Sequence, residues 1–226
     1  MSFNRWRSLV DGTEIDVSAI PDSVVEDFER ENPLDDYGGD VGDFSITQTN
    51  PFEGDNALFV QDNDGVSIAS TTGLDTYPQR GDVFSCRLRV ENTTPNAYIM
   101  WATQEEVGAS SSTGYAMAIA LTNDTFRLTR FDDGSRTIID TTDVSDGIPK
   151  DEYLTCRVTN WDDSGNIAAE LMQGEEIGQE QEGTELATVS ATDTNYTSGG
   201  IGFFFDANFG SDGAGRHDYY IIEERP

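Results

Sequence analysis

The run Glu26-Asp27-Phe28-Glu29 sets three carboxylates beside one aromatic ring, and carboxylates so spaced could serve acid/base chemistry. Glycoside hydrolysis needs two of them flanking a cleft, about 5 Å apart for retention, with one held protonated. Read as a strand, the run puts Asp27 and Glu29 on one face and Glu26 on the other. A chain with 43 acidic residues supplies such pairs throughout, so this one does not mark an active site. His217 is the only histidine and cannot be one of two imidazole ligands. No G-x-S-x-G turn accompanies it, so it reads as a partly exposed strand residue. Cys86 and Cys156 lie in FSCRLRV and LTCRVTN without a CxxC or Cys/His cluster, which leaves zinc without a ligand set.

Sugar recognition asks for an exposed aromatic ring beside amide or carboxylate hydrogen-bonders. Trp161 with Asp162, and Tyr98 with Asn96, are the candidates. In AYIMWAT, Tyr98 and Met100 share one strand face while Ile99 and Trp101 share the other, so Trp101 is expected in the core. Trp161 begins a turn and is expected to be the exposed ring. Arg87, Arg89 and Arg157 alternate with apolar residues and point outward, to pair with local acids or to form an oligomer contact.

The elements that must position these residues are strands. From VVEDFE onward, short alternating runs are separated by turn signals at intervals of roughly ten residues, the rhythm of a sandwich or barrel. They include DFSITQ, ALFVQ, VSIAST, DVFSCRLRVE, AYIMWATQ, YAMAIAL, TFRLTRF, SRTIIDT, EYLTCRVTN, NIAAELM, ELATVSA, GIGFFFDA and HDYYIIEE. Asn123-Asp124, Asp132-Asp133-Gly134 and Asp162-Asp163-Ser164-Gly165 supply tight connections. QGEEIGQEQEGT reads as a solvated loop, and the triple Phe of GIGFFFDA suits a strand covered on both sides, closing the fold with HDYYIIEE. Phe84, Cys86 and Leu88 share one face, as do Leu154, Cys156 and Val158, so both thiols point inward. Whether they pair is left open by the sequence. The reading is an all-β, two-sheet antiparallel β-sandwich over residues 25–226, with residues 1–24 as an N-terminal arm or docking segment.

The formal charge is -30, from 43 acidic and 13 basic residues, and Lys150 is the only lysine. Such a charge repels itself in dilute buffer, whereas molar salt shortens the Debye length to about 3 Å and removes most of the penalty. Arginine, the more weakly hydrated cation, pairs carboxylates in bidentate fashion. Duplex nucleic acid is not expected as a partner, because phosphate binding needs a positive footprint. No apolar run of signal-peptide or membrane-span length occurs, so a chain made in the cytosol with no membrane insertion is expected.

DVFSCRLRV, the hairpins from Tyr115 to Thr141, EYLTCRVTNWDDSGNIAAELM and the ending GGIGFFFDA with RHDYYII resemble, in that order, the concanavalin A-like or laminin-G-like jelly roll. The likeness covers about residues 24 to 224. Hydrolases of that fold carry an E-x-D-x-x-E strand, which this sequence lacks, so the resemblance implies a domain without catalysis. Many jelly-roll sugar-binding modules hold a structural Ca2+ between first and last strands. The positions that match are Asp27, Glu29 and Asp218. The acidic, arginine-biased composition is similar to proteins of haloarchaea and their viruses. SLVDGTEIDVSAIPDSVVEDFE together with the jelly-roll ending looks like virion proteins of haloarchaeal tailed viruses. That resemblance implies a tail fibre, spike or capsid turret located in the virion. It implies a homo-oligomer that meets other virion proteins through residues 1–24 and a lectin-like domain for a host-surface glycan. The alternative is a halophilic carbohydrate-binding module not associated with a virion, with a glycoside hydrolase ranked below it.

Overall fold

The computed structural model describes residues 9–10, 13–14, 24–60, 65–71, 77–90, 96–104, 111–174, 183–206 and 215–224. The strands are β1 (Leu9–Val10), β2 (Thr13–Glu14), β3 (Val24–Glu26), β4 (Tyr37–Gly39), β5 (Phe44–Thr47) and β6 (Ala57–Val60). They continue as β7 (Val66–Ser70), β8 (Val83–Val90), β9 (Asn96–Thr103), β10 (Gly114–Ala120), β11 (Thr125–Asp132) and β12 (Ser135–Asp143). The last are β13 (Tyr153–Trp161), β14 (Asn166–Gln173), β15 (Thr184–Thr192), β16 (Gly200–Asp206) and β17 (Gly215–Glu224).

Two antiparallel sheets pack face to face. One has the order β12-β11-β10-β9-β16-β7-β4, and the other β15-β14-β13-β8-β17-β6-β5 with β3 added on β17. Between them, alternate residues from both sheets form one core, including Phe84, Trp101, Trp161, Phe203, Phe205 and Tyr220, all fully buried. Phe84 stacks on Tyr220 of the adjacent strand at 6.0 Å and meets Trp101 of the other sheet edge-on at 5.7 Å, so an aromatic pair bridges the sheets. Every alternating run from DFSITQ onward is a strand, which follows from burial of one face per sheet.

The expected turns also stand, with Asp124, Asp133 and Gly165 in the left-handed region. Residues 175–182 of the acidic QGEEIGQEQEGT loop lie outside the described residues. The terminal pair differs from the expectation. β16 and β17 do not close the fold as partners: β16 lies between β9 and β7 in one sheet, and β17 lies between β8 and β6 in the other. The chain therefore crosses between sheets after Asp206. A further difference is at the start, where the strand ends at Glu26 and Phe28 takes a φ of 56°. The buried Glu26 carboxylate accepts from Phe28 N at 2.7 Å, from Arg30 at 2.6 Å and from Tyr37 Oη at 2.7 Å. This acid fixes a turn that alternation alone reads as strand.

The outer edges of the two sheets meet at β12 and β15. Ser190 N donates to Asp140 Oδ2 at 2.7 Å and Thr142 Oγ1 donates to the Thr188 carbonyl at 2.6 Å. Side chains thus stitch two edges that would otherwise offer bare backbone for pairing.

Candidate functional site

The outer face of the β4–β12 sheet is where the candidate Tyr98 and Asn96 project. On β9, Ile99 and Trp101 enter the core, so Tyr98 and Met100 stand on the opposite side with Asn96 next along it. Ala116 and Ala118 of β10 lie beside them, and their small side chains leave room above. Phe131 of β11 and Phe204 of β16 fill that room. Their ring centroids are 5.0 Å apart, and each also meets Tyr98, at 5.7 and 5.0 Å.

Flat sheet spacing would separate β11 from β16 by about 14 Å. Contact across two intervening strands means that the sheet coils toward this face. A second tie agrees, since Ser112 Oγ lies 2.8 Å from Ser67 Oγ on β7 while Gly134 N in the β11–β12 turn donates to the Ser112 carbonyl. Tyr98 is fully buried, and its hydroxyl accepts from Arg136, whose Cζ lies 5.8 Å from the Tyr98 ring centroid. Tyr98 is therefore the floor of this face and not an exposed stacking ring. What solvent meets along the rim is Arg136, partly buried Asn96, and Ile138 of β12 at 44% exposure.

Trp161 is also internal. Its side chain is fully buried, meets Trp101 at 6.4 Å, and has Arg80 Cζ 5.9 Å from its ring. This corrects the expectation of an exposed ring: the strand continues through Trp161, whose side chain falls on the core face of β13. Asp162, just beyond, accepts from Ser164 N and Asn166 N and from the Asn166 amide, each at 2.9 Å. The Asn166 bonds, chiefly its side-chain amide, hold the carboxyl below its usual range. Asp162 caps its own turn, on the sheet opposite to that of Tyr98 and Asn96. The four candidates do not form one site.

Glu29 and Asp218 converge on one turn, while Asp27 bonds locally. Asp218 Oδ2 accepts from Phe52 N at 2.7 Å and from Glu53 N at 3.2 Å, and Oδ1 accepts from Tyr219 N at 2.8 Å. Glu29 Oε1 accepts from Asp55 N at 2.8 Å and Asn56 N at 2.7 Å. Asp27 Oδ1 accepts from Glu29 N at 3.1 Å. Burial raises Asp218 to about 7 against the pull of its backbone donors.

Calcium takes six to eight oxygens at about 2.3–2.6 Å. Here Asp218 Oδ1 and Oδ2, Glu29 Oε1 and Asp27 Oδ1 already accept N–H groups. Among the described residues no group of three His, Cys, Asp or Glu side chains is gathered as for a metal ion. The three residues do not fit a calcium cage in this arrangement; Glu29 and Asp218 form a clasp on the 52–56 turn, and Asp27 bonds within its own segment. That turn lays Phe52 over the β5–β15 sheet, at 5.1 Å from Arg87 Cζ and 5.5 Å from the Tyr153 ring.

The arginine strip lies beneath and beside this turn. Arg87 and Arg157 are buried, and Arg157 pairs with Glu223 at 2.7 Å and Glu170 at 2.9 Å. Arg89 reaches Asp151 at 3.8 Å. Pairing with local acids thus holds for Arg157 and Arg89. His217 differs from its expected partial exposure. It is fully buried on the core face, with the Phe203 and Phe205 rings each 4.8 Å away, and burial pushes its imidazole down to about 3.

No family model matches the chain, and no curated protein matches it in sequence. Solved structures do match in shape. The carbohydrate binding module CBM66 from Bacillus subtilis aligns with a TM-score of 0.53 at 11% identity, covering 79% of this chain and 93% of that one. A legume lectin-like domain from Entamoeba histolytica gives 0.53 at 10% identity over 82% of this chain and 92% of its own. The Ca2+-bound exoplasmic/lumenal domain of VIP36 gives 0.56 at 12% identity, with 91% of each chain covered. The fold is a lectin-like jelly roll. In this lectin-like sandwich the coiled face carries an aromatic floor, with Arg136 and Asn96 at its rim. Arg136, Phe131 and Phe204 escape sequence reasoning because their meeting depends on sheet coiling, which alternation does not encode. Only the run of alanines at every second position of YAMAIAL hints at a face with something packed on it.

Proposed function

We propose that the chain is a non-catalytic, lectin-like recognition domain whose ligand is a surface glycan. The observation that carries this reading is the lectin-like jelly roll, matched over more than nine-tenths of the length of carbohydrate-binding and lectin-like domains. The rim of the coiled face offers a guanidinium at Arg136 and an amide at Asn96, groups that hydrogen-bond sugar hydroxyls, with the apolar surface of Ile138 beside Arg136. Tyr98 backs Arg136 and fixes its direction. Glycan-array screening in molar salt tests the reading, followed by titration of N96A and R136A. At least tenfold weaker binding by both variants with unchanged near-UV circular dichroism is expected. Failure of every glycan to bind the native chain overturns the proposal.

The finer reading places this domain on a halophilic virus particle, in a tail fibre, spike or capsid turret, with residues 1–24 docking on neighbouring subunits or other virion proteins. It is supported by the charge of -30 with one lysine and by an apolar-spotted amino-terminal segment containing Trp6, Leu9, Val10 and Ile15. Mass measurement in molar salt with and without residues 1–24 tests it. An oligomer that the truncation dissolves is expected, and a stable monomer in both cases counts for the free carbohydrate-binding module.

A further inference from the structure

Cys86 and Cys156 stand directly opposite one another on β8 and β13. Both are free thiols, fully buried, and both lie on the core side of the sheet. Directly opposite residues of an antiparallel pair have Cα atoms about 4.5 or 5.5 Å apart, according to whether the pair is non-hydrogen-bonded or hydrogen-bonded. Disulfides span Cα separations of about 4.4–6.8 Å, so either spacing can be bridged without moving the backbone. One adjustment is needed, because Cys86 Sγ now donates to the Asp218 carbonyl at 3.4 Å and must rotate toward Cys156.

We propose that Cys86 and Cys156 form an intramolecular cross-strand disulfide when the chain meets a small-molecule disulfide as oxidant. One cysteine thiolate attacks the oxidant's S–S bond and expels one thiolate. The second cysteine thiolate then attacks the mixed disulfide, closing the Sγ–Sγ bond and expelling the other. The protein loses two electrons and two protons, and the oxidant leaves as two thiols. Burial raises both cysteine thiols above their usual range, and neither is open to solvent. The exchange therefore belongs to the period when β8 and β13 are pairing, before the second sheet covers them. The finished bond is then sealed in the core. Nothing in this inference depends on glycan binding.

The test uses the full chain, unfolded and reduced, then refolded in molar salt in a glutathione redox buffer or in excess reductant. Thiols are trapped by alkylation and located by peptide mass. Native near-UV circular dichroism is expected in both arms. The oxidised arm should have no alkylatable thiol, one peptide joining Cys86 to Cys156, and a melting temperature higher by about 9–18 °C, as closing a loop of roughly 70 residues implies. Two alkylatable thiols or glutathione adducts after refolding in the redox buffer overturn the proposal, and so does a bond that forms only with loss of the native spectrum. C156A supplies the control: its melting temperature should be the same in both buffers, and a persistent difference assigns the shift to something other than this bond.

Discussion

His217 and Asp218 are consecutive residues on opposite faces of β17, and burial moves them in opposed directions, the imidazole down to about 3 and the carboxyl up to about 7. His217 contributes stability that is present above pH 6.5, where the unfolded chain is also neutral, and is lost as pH falls toward 3. Asp218 works the other way, its contribution being present below about pH 4 and lost as pH rises through 7. Between pH 4 and 6.5 the two slopes, each about 1.4 kcal/mol per pH unit at most, oppose one another. Denaturant unfolding of the native chain in molar salt should therefore change little over that window. H217F should lose stability as pH rises from 4 to 7, and D218N should lose it as pH falls from 6.5 to 4. Parallel pH profiles for the two variants would contradict the opposed shifts. Because the chain has one histidine, its imidazole resonance can be followed alone and should remain that of the neutral ring at pH 4.5.

The clasp on the 52–56 turn gives a second prediction. D218A removes an acceptor from Phe52 N and Glu53 N and should cost about 1–3 kcal/mol, with E29A costing a similar amount through Asp55 N and Asn56 N. Urea unfolding checks both. Excess chelator should leave the melting temperature of the native chain unchanged, since the same oxygens already accept backbone N–H groups. A fall of several degrees would put a cation at the clasp instead.

Arg157 lies between Glu223 and Glu170 with its side chain 3% exposed. Removing one partner of a buried pair leaves an uncompensated charge, so E223Q should cost about 3–5 kcal/mol. Replacing both as R157M/E223L should recover most of that loss. Unfolding free energies of the two variants test the ordering, which reverses if Arg157 is solvated.

A charge of -30 on 226 residues makes the fold depend on screening. Dialysis from molar to millimolar salt should abolish near-UV circular dichroism, and returning the salt should restore it. An unchanged spectrum at low salt would mean that the carboxylates are balanced within the fold.

The sequence by itself determined the sheets. Strict alternation in DVFSCRLRV, AYIMWAT and EYLTCRVTN can be satisfied only by strands with one face buried, and Asp-Gly and Asn-Asp turns fixed where they end. It also placed Cys86, Cys156 and Trp101 inward, because side-chain parity along a strand is a local property. What it could not supply was anything resting on contacts between distant strands. Trp161 read as a turn residue, yet it is core because β13 runs one residue further and a bulge between Val158 and Asn160 turns its side chain inward. His217 read as partly exposed, yet it lies between Phe203 and Phe205, which arrive from the other sheet. Tyr98 had the right face but the wrong surroundings, since Phe131 and Phe204 meet over it only when the sheet coils. The three-residue strand Tyr37–Gly39 went unread because its order comes from pairing with β7. Tertiary structure alone decided that Glu29 and Asp218, from opposite ends of the chain, would spend their oxygens on one turn. Long-range pairing and sheet coiling join residues whose sequence separation leaves no periodic trace.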